Sequence, residues 1–232
     1  MPIQVKTLLF DIGGTVFDWN APLIAALSRH AAFAGIDPAA FALDCRAGFL
    51  DAAGSASRGE TQRQSSDLML ANVIDGLLGA LRVAPDEEAR RDLHHAWRHM
   101  VAWPGAREGI ERLRQRIAAL PLTILSWSMA SGSSRASGIV WDGYLCCEMM
   151  GLYKPDPACY ARAATLVDCR PHEIAMVAAH PSDLRAAQAC GYRAFYVFPQ
   201  IEDPGEDYAD TGFAREFDIV ARDFGDLARL LT

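Results

Sequence analysis

The chain has 232 residues, enough to bury a complete hydrophobic core as one large domain or as a core with an inserted unit. Hydrophobic residues make up 51% of it and charged residues 22%, proportions typical of an ordinary globular protein. The formal net charge of −7 argues against a nucleic-acid or anionic-membrane surface, so a small anionic substrate would need cations placed locally.

The cysteine spacing and the lengths of the apolar runs indicate the compartment in which the protein is found. The six cysteines show no C-x-x-C spacing, which favours reduced thiols over disulfides or a zinc site. The first ten residues do not have the pattern of a signal peptide, and no stretch has the apolar length of a membrane span. We therefore expect a cytoplasmic protein with no metal, no cofactor and no membrane or nucleic-acid partner.

The first predicted element is a buried strand over Thr7–Phe10, an apolar run that delivers Asp11 at its end. Gly13 and Gly14 allow a tight turn, and Thr15 adds a hydroxyl just beyond it. Ligands of open α/β sheets bind outside the carboxyl ends of the strands, so Asp11 is a candidate nucleophile. An ordinary turn capped by an aspartate explains the same segment equally well.

The segment from Pro22 to about Met100 has a helical pattern without strand-like alternation. A loop is predicted over residues 54–59. Helices are predicted over Ala21–Ala34, Pro38–Ala53, Ser66–Leu81 and Pro85–Val101, with proline at a first-turn position in the second of them. The segment is therefore predicted to be an all-helical insert.

From Trp103 onward, strands and helices alternate. Strands are predicted over Leu122–Leu125, Tyr144–Cys147, Ile174–Ala178 and Arg193–Phe198, and helices over Ala106–Ala118, Asp156–Val167, Ser182–Cys190 and Phe224–Leu231. The acidic, glycine-containing segment 199–212 is predicted to be a mobile loop. This alternation predicts an α/β fold, with a parallel sheet and helices on both of its faces.

Polar residues follow three of the predicted strands. Ser126 follows one strand, Lys154 follows a strand and a turn, and His180 and Asp183 follow Ile174–Ala178. Taken singly, these residues are explained as a turn residue, a surface lysine, a loop residue and a helix cap. Their joint occurrence at strand ends, in this order, favours one shared crevice.

In that crevice each residue type has a chemical role. An ammonium beside Asp11 would keep the carboxylate ionised at neutral pH. Ser126 and backbone amides would bind an anionic group of the substrate. Asp183 is a candidate for orienting or deprotonating a water molecule, and His180 is a second candidate for proton transfer.

Four motifs in this order resemble those of the haloacid dehalogenase superfamily and, within it, the type II 2-haloacid dehalogenases. The motifs are Asp11-x-Gly-Gly-Thr15, Leu125-Ser126, Tyr153-Lys154-Pro-Asp-Pro and Ala178-Ala-His180-Pro-Ser-Asp183. The resemblance covers nearly the whole chain. It implies a Rossmann-like core of residues 1–16 and 102–232, an inserted helical cap of residues 17–101, and a possible homodimer.

The resemblance also implies a reaction. Asp11 would displace halide from a short 2-haloacid and form an ester that water hydrolyses, with Lys154 steadying the nucleophile and Asp183 activating the water. Three further residues match family positions: Thr15 and Ser126 around the nucleophile and the substrate carboxylate, and Tyr160 in the pocket. Arg46 matches the arginine that receives the halide.

Three positions depart from the patterns of the superfamily. Phosphatase members carry a second aspartate where this chain has Gly13, and a Gly-Asp pair where it has Ala179-His180; both changes argue against magnesium-dependent phosphoryl transfer. Dehalogenases carry an aromatic residue at the position of Gly13. The absence of that side chain implies that the pocket of this chain is enlarged there. Dehalogenases also carry asparagine, which helps to bind halide, where Trp127 stands. The indole N–H of Trp127 would substitute as a donor, or its bulk would block the pocket.

Two alternatives stay open. One is a phosphatase, or a hydrolase of another small substrate, that uses the same aspartate. The other is a catalytically degenerate protein that binds a small acid or a partner protein.

Overall fold

A computed structural model describes residues 4–198 and 216–231 of the chain. The strands are β1 (Thr7–Phe10), β2 (Phe17–Asp18), β3 (Val101–Ala102), β4 (Ala118–Thr123), β5 (Leu145–Cys146), β6 (Ile174–Ala178), β7 (Arg193–Val197) and β8 (Ile219–Ala221). The helices are α1 (Asn20–Arg29), α2 (Pro38–Ser57), α3 (Ser66–Ala80), α4 (Glu87–His94), α5 (Ala106–Arg114), α6 (Trp127–Ala136), α7 (Cys147–Met150), α8 (Pro157–Leu166), α9 (Pro181–Ala189) and α10 (Phe224–Leu231). Short 3-10 turns lie at residues 31–33, 96–99 and 171–173.

Six strands form one parallel sheet in the order β5-β4-β1-β6-β7-β8, surrounded by helices. The predicted α/β fold is therefore confirmed. All four residues of β1 are buried, and Thr7 pairs with Ala118 on one side and Ile174 on the other. Asp11 therefore leaves the sheet between the carboxyl ends of β4 and β6, the edge at which ligands of such sheets bind.

Helices α1 to α4 lie in sequence between β1 and α5 and belong to the helical insert, defined here as residues 17–101. The chain enters and leaves this insert through an antiparallel ribbon in which Phe17 pairs with Ala102 and Asp18 with Val101. The Trp103 indole donates to the Gly14 carbonyl at 2.8 Å and fixes the return of the chain. The division into two domains at residues 16 and 102 stays a prediction.

Local capping explains where the helices of the insert begin. The Asp37 carboxylate accepts the N–H groups of Ala39 and Ala40, and Pro38 occupies the first helical position, where it costs no hydrogen bond. Ser65 and Asp86 cap α3 and α4 in the same way. A buried indole, Trp97, donates to the Trp19 carbonyl and ties the end of the insert to its beginning.

Several predicted boundaries were wrong. The helix predicted over Pro85–Val101 ends at His94 and is followed by a 3-10 turn and by strand β3. Strand β4 begins at Ala118, where a helix had been expected to continue, because pairing with β1 outweighs the helical preference of alanine. Helix α2 continues to Ser57 through part of a predicted loop, and the Ser57 hydroxyl donates to the Tyr153 carbonyl. Helices α6 and α7 and strands β2, β3 and β8 were not predicted. The predicted loop at 199–212 lies outside the described residues.

The cysteines carry no disulfide: all six are free thiols within the described part of the chain, and four of them are buried. None of the described helices combines the length and the apolar character needed to cross a membrane. Cytoplasmic location and a homodimer stay predictions.

Candidate active site

Asp11 is the first residue after β1, and its N–H still donates to the Val177 carbonyl of β6. The chain then turns through Gly14, whose φ of 84° lies in the left-handed region that glycine adopts without strain. The strand therefore fixes the backbone of Asp11, and the turn lets the next residues close around its carboxylate. Asp11 is only 7% exposed.

Three donors surround the Asp11 carboxylate. Lys154 Nζ lies 3.0 Å from Oδ1, while the Thr15 hydroxyl donates to Oδ2 at 2.8 Å and His180 Nδ1 lies 2.9 Å from the same oxygen. Thr15 in turn accepts the backbone N–H of Ala179 at 3.0 Å, which ties the turn after β1 to the end of β6. Oδ2 is held by two donors and Oδ1 by one.

These contacts determine the charge of Asp11. Burial acts to raise the pKa of its carboxyl group, but the charge of Lys154 and the hydrogen bond from His180 outweigh burial and hold that pKa well below its usual range. The carboxylate is therefore ionised at neutral pH, the state that a nucleophile requires.

Lys154 joins Asp11 to a second carboxylate. Its ammonium lies 2.5 Å from Asp183 Oδ2, and its side chain is only 8% exposed. Burial alone would lower the pKa of Lys154, but the two carboxylates reverse that effect and raise it, so the ammonium stays protonated. The Tyr160 hydroxyl donates to Asp183 Oδ1 at 2.7 Å, and burial first and Asp183 second raise the pKa of this phenol. Both oxygens of Asp183 are thus held in place.

Arg46 reaches this cluster from helix α2 of the insert. Its Nη2 lies 3.1 Å from His180 Nε2, and its guanidinium lies over the Trp19 ring at 4.6 Å from the ring centroid. The insert therefore supplies a cation next to the histidine that contacts Asp11.

Ser126 and Trp127 occupy different surroundings. The Ser126 hydroxyl accepts the Met129 N–H at 3.1 Å and so caps α6, and Trp127, the first residue of that helix, is 50% exposed. Neither Ser126 nor Trp127 is among the described residues that line the cavity beside Asp11. The structure therefore places the Trp127 indole away from the expected halide site, because the first turn of α6 directs it outward.

A cavity of about 290 Å³ lies between the sheet edge and the insert. Five of its lining residues form the hydrogen-bonded charged cluster: Asp11, Arg46, Lys154, His180 and Asp183. Gly13 also lines it, whereas Thr15 and Tyr160 support the cluster from behind the lining. The apolar wall includes Trp19, Phe49, Leu50, Trp97, Ile124 and Leu125.

The sequence did not reveal the part of this wall that the insert supplies. A signal was present, because Phe49 and Leu50 stand three and four residues after Arg46 and so share its side of helix α2. Glu148 was also missed: its carboxylate accepts the N–H of Ser66 at 3.1 Å and that of Trp127 at 3.0 Å, which joins α3 to α6.

The donors at this site do not fit the magnesium ion of the superfamily's phosphatases. Magnesium requires an octahedron of oxygen ligands. Here the ammonium of Lys154 lies between the carboxylates of Asp11 and Asp183, and Gly13 offers no side chain. Within residues 4–198 and 216–231, no three His, Cys, Asp or Glu side chains are placed to hold one metal ion.

Comparison with known proteins agrees with this geometry. A family model described as a haloacid dehalogenase-like hydrolase matches residues 5–191. The chain belongs to the haloacid dehalogenase-like hydrolase family. The resemblance inferred from the four motifs is thereby confirmed, and the protein is a hydrolase by family.

Individual relatives of this haloacid dehalogenase-like hydrolase include proteins of known name. The (S)-2-haloacid dehalogenase 4A of Burkholderia cepacia is 28% identical over 130 residues, which cover 53% of this chain and about half (55%) of that protein. The crystal structure of an L-2-haloacid dehalogenase matches with a TM-score of 0.90 and 27% identity over 98% of both chains. That of a defluorinating L-2-haloacid dehalogenase matches with a TM-score of 0.91 and 28% identity, covering 100% of this chain and 99% of the other.

Proposed function

We propose that this protein hydrolyses short-chain 2-haloacids through an ester on Asp11, releasing halide and a 2-hydroxy acid. One observation carries the proposal: Lys154 donates to two carboxylates at the wall of one cavity, Asp11 and Asp183, whose side chains are 9% and 11% exposed. One carboxylate is thereby available as nucleophile and the other as base. The names of the relatives agree with this reaction.

In the first step Asp11 Oδ1 attacks C2 of the substrate. A new C–O bond forms as the carbon–halogen bond breaks, and the halide leaves with the bonding electron pair. Oδ1 is the attacking oxygen because it has one donor, Lys154, whereas Oδ2 is held by Thr15 and His180. Fixing the carboxylate before reaction lowers the entropic cost of reaching the transition state.

The departing halide needs a nearby cation that is not already paired with the Asp11 carboxylate. The guanidinium of Arg46 lines the cavity and contacts His180 and Trp19. A cation fixed there stabilises the negative charge that develops on the halogen.

In the second step Asp183 takes a proton from water, and the oxygen of that water attacks Cγ of the ester. Collapse of the tetrahedral intermediate breaks the bond between Cγ and the substrate oxygen, which takes the proton from Asp183. The 2-hydroxy acid leaves with a hydroxyl oxygen that comes from Asp11, and Asp11 returns to the carboxylate as the second proton of the water passes to solvent. Tyr160 and Lys154 orient Asp183 for this role through hydrogen bonds of 2.7 and 2.5 Å. Neither step as written uses a metal or a cofactor.

Halide release tests the proposal. The purified protein is incubated with chloroacetate, bromoacetate and 2-chloropropionate, and we expect halide and the 2-hydroxy acid in equal amounts. The variant Asp11→Asn should release none, whereas Asp44→Asn, which changes an exposed carboxylate on α2, should match the wild type. Absence of release from all three substrates by folded protein, together with magnesium-dependent cleavage of an aryl phosphate, would favour the phosphatase alternative instead.

A further inference from the structure

The charged cluster occupies only part of the cavity wall. Most of the rest is apolar, and Thr123 and Ser182 are its polar members. The apolar side chains come from both units: Trp19, Phe49, Leu50 and Trp97 from the insert, and Ile124 and Leu125 from the end of β4. Donors and cations recognise the halogen and the carboxylate, and the apolar wall offers contact surface to an apolar part of the ligand.

The size of the cavity also indicates room for a ligand larger than a two-carbon acid. A water molecule takes about 30 Å³ of liquid, so the five non-hydrogen atoms of chloroacetate occupy roughly 150 Å³ at most. The cavity holds about 290 Å³. About half of it therefore stays unfilled by a two-carbon substrate.

The apolar part of the cavity is preformed. Phe49 packs edge-on against Trp97 with ring centroids 5.0 Å apart, and both side chains are almost fully buried. Gly13 also lines the cavity, and an added Cβ there would be in van der Waals contact with Leu125 Cδ1 at 3.4 Å. Leu50, 44% exposed, is the most open of these apolar side chains. A ligand that fills this space displaces water from apolar surface without reorganising the protein.

We propose that the preferred substrates are 2-haloacids with an apolar substituent at C2 of about four or five non-hydrogen atoms, such as a butyl group, rather than haloacetates. The proposal rests on the dehalogenase function for the reaction, but the selectivity belongs to the cavity itself. Two residues then determine specificity: Gly13, in the turn that follows Asp11, and Leu50, on the solvent side of the cavity.

Binding of unreactive acids tests the selectivity without any turnover. Isothermal titration calorimetry gives the affinity of the wild type for acetate, butanoate and hexanoate. Each added methylene should strengthen binding by about two- to fourfold, so hexanoate, with four more methylenes, should bind about 16- to 250-fold more tightly than acetate. Equal affinities for acetate and hexanoate would overturn the proposal.

Two pairs of variants locate the selectivity. Leu50→Trp and Gly13→Leu each fill the cavity, and each should lower the hexanoate-to-acetate affinity ratio at least about tenfold. Leu68→Trp changes a leucine that is 49% exposed on α3, and Gly76→Leu adds a side chain where nothing lies within 4 Å of its Cβ. Both controls lie outside the cavity lining and should leave the ratio unchanged. A ratio that falls equally in all four variants would contradict the proposal.

Turnover of 2-bromohexanoate and bromoacetate separates this inference from the proposed function. We expect kcat/KM to be at least about tenfold higher for 2-bromohexanoate. A chain-length preference in binding without halide release from either compound would refute the dehalogenase function and leave the cavity's preference for apolar acids. Halide release with equal kcat/KM and equal affinities would refute the preference and leave the function.

Discussion

Arg46 Nη2, on helix α2 of the insert, lies 3.1 Å from His180 Nε2, which follows β6 of the core. A guanidinium can only donate hydrogen bonds, so Nε2 is the acceptor and the ring proton is on Nδ1. That proton is then donated to Asp11 Oδ2 across 2.9 Å. The insert thus sets the tautomer of the histidine that orients the nucleophile.

Arg46→Met should slow formation of the ester by about 100-fold, the cost of removing one fixed charge-stabilising donor. The loss should be larger for 2-chloropropionate than for 2-bromopropionate, since chloride is the poorer leaving group and depends more on the cation. The measurement is single-turnover halide release. Arg58→Met is the matched control, since Arg58 is exposed and pairs with Glu60 outside the cavity. An equal decrease in rate for 2-chloropropionate and 2-bromopropionate would exclude Arg46 as the halide site.

Asp183→Asn should separate the two steps. Ester formation should continue, because Asp11 and Lys154 are unchanged, while hydrolysis should slow by about 10²- to 10⁴-fold without the base. Rapid quenching should then show a burst of about one halide per chain, followed by almost no turnover. Absence of the burst in a folded variant would place Asp183 in the first step.

Tyr160→Phe should slow hydrolysis of the ester by about tenfold or more, because it removes a hydrogen bond to a charged carboxylate. The burst of halide should keep its rate. Tyr192→Phe is the control: this hydroxyl donates to the backbone carbonyl of Tyr160 and is absent from the cavity wall among the described residues. Equal slowing in both variants would indicate a packing effect instead.

Lys154→Met should lower the free energy of unfolding by about 3–5 kcal/mol, the usual cost of leaving buried charges without their partner. The loss should be smaller when Asp183→Asn is added, because one of the two stranded carboxylates is then neutral. Urea unfolding at neutral pH gives both values. Lys6→Met, which removes a lysine with a side chain 68% exposed, should change stability little. Additive losses in the double variant would show that Lys154 and Asp183 are not coupled.

The rate of ester formation should be independent of pH between about pH 5 and pH 9. The pKa of Asp11 is lowered, so its carboxylate stays ionised as the pH falls to 5, and the pKa of Lys154 is raised, so its ammonium stays protonated as the pH rises to 9. Burst amplitudes and rates across this range provide the measurement. A burst that disappears below pH 6 would mean that the Asp11 pKa is raised.

Several features could be predicted from the sequence because they depend on local pattern and strand direction. Strands β1 and β6 are short apolar runs with clear ends, and their predicted bounds agree with the structure. Parallel strands end at one edge of a sheet, so Asp11 after β1 and Asp183 after β6 were expected at the same edge. Lys154 comes to the same edge after β5.

Other features depend on packing that the sequence does not encode locally. The ribbon of β2 and β3 has two residues in each strand, too few to produce a periodic signal. The direction of Trp127 depends on the first turn of α6, which was not predicted. Helical spacing groups Phe49 and Leu50 with Arg46 on one side of α2. The Arg46–His180 contact itself depends on how the insert packs over the sheet, and no local pattern specifies that arrangement.

The central claim is that Asp11, and not water, attacks the substrate carbon. A single turnover of excess enzyme with 2-bromopropionate in water labelled with oxygen-18 tests it most directly. We predict that the label appears in the Asp11 carboxylate, found by mass spectrometry of the peptide that contains it, and that the lactate formed carries an unlabelled hydroxyl. Labelled lactate with unlabelled Asp11 would contradict the account.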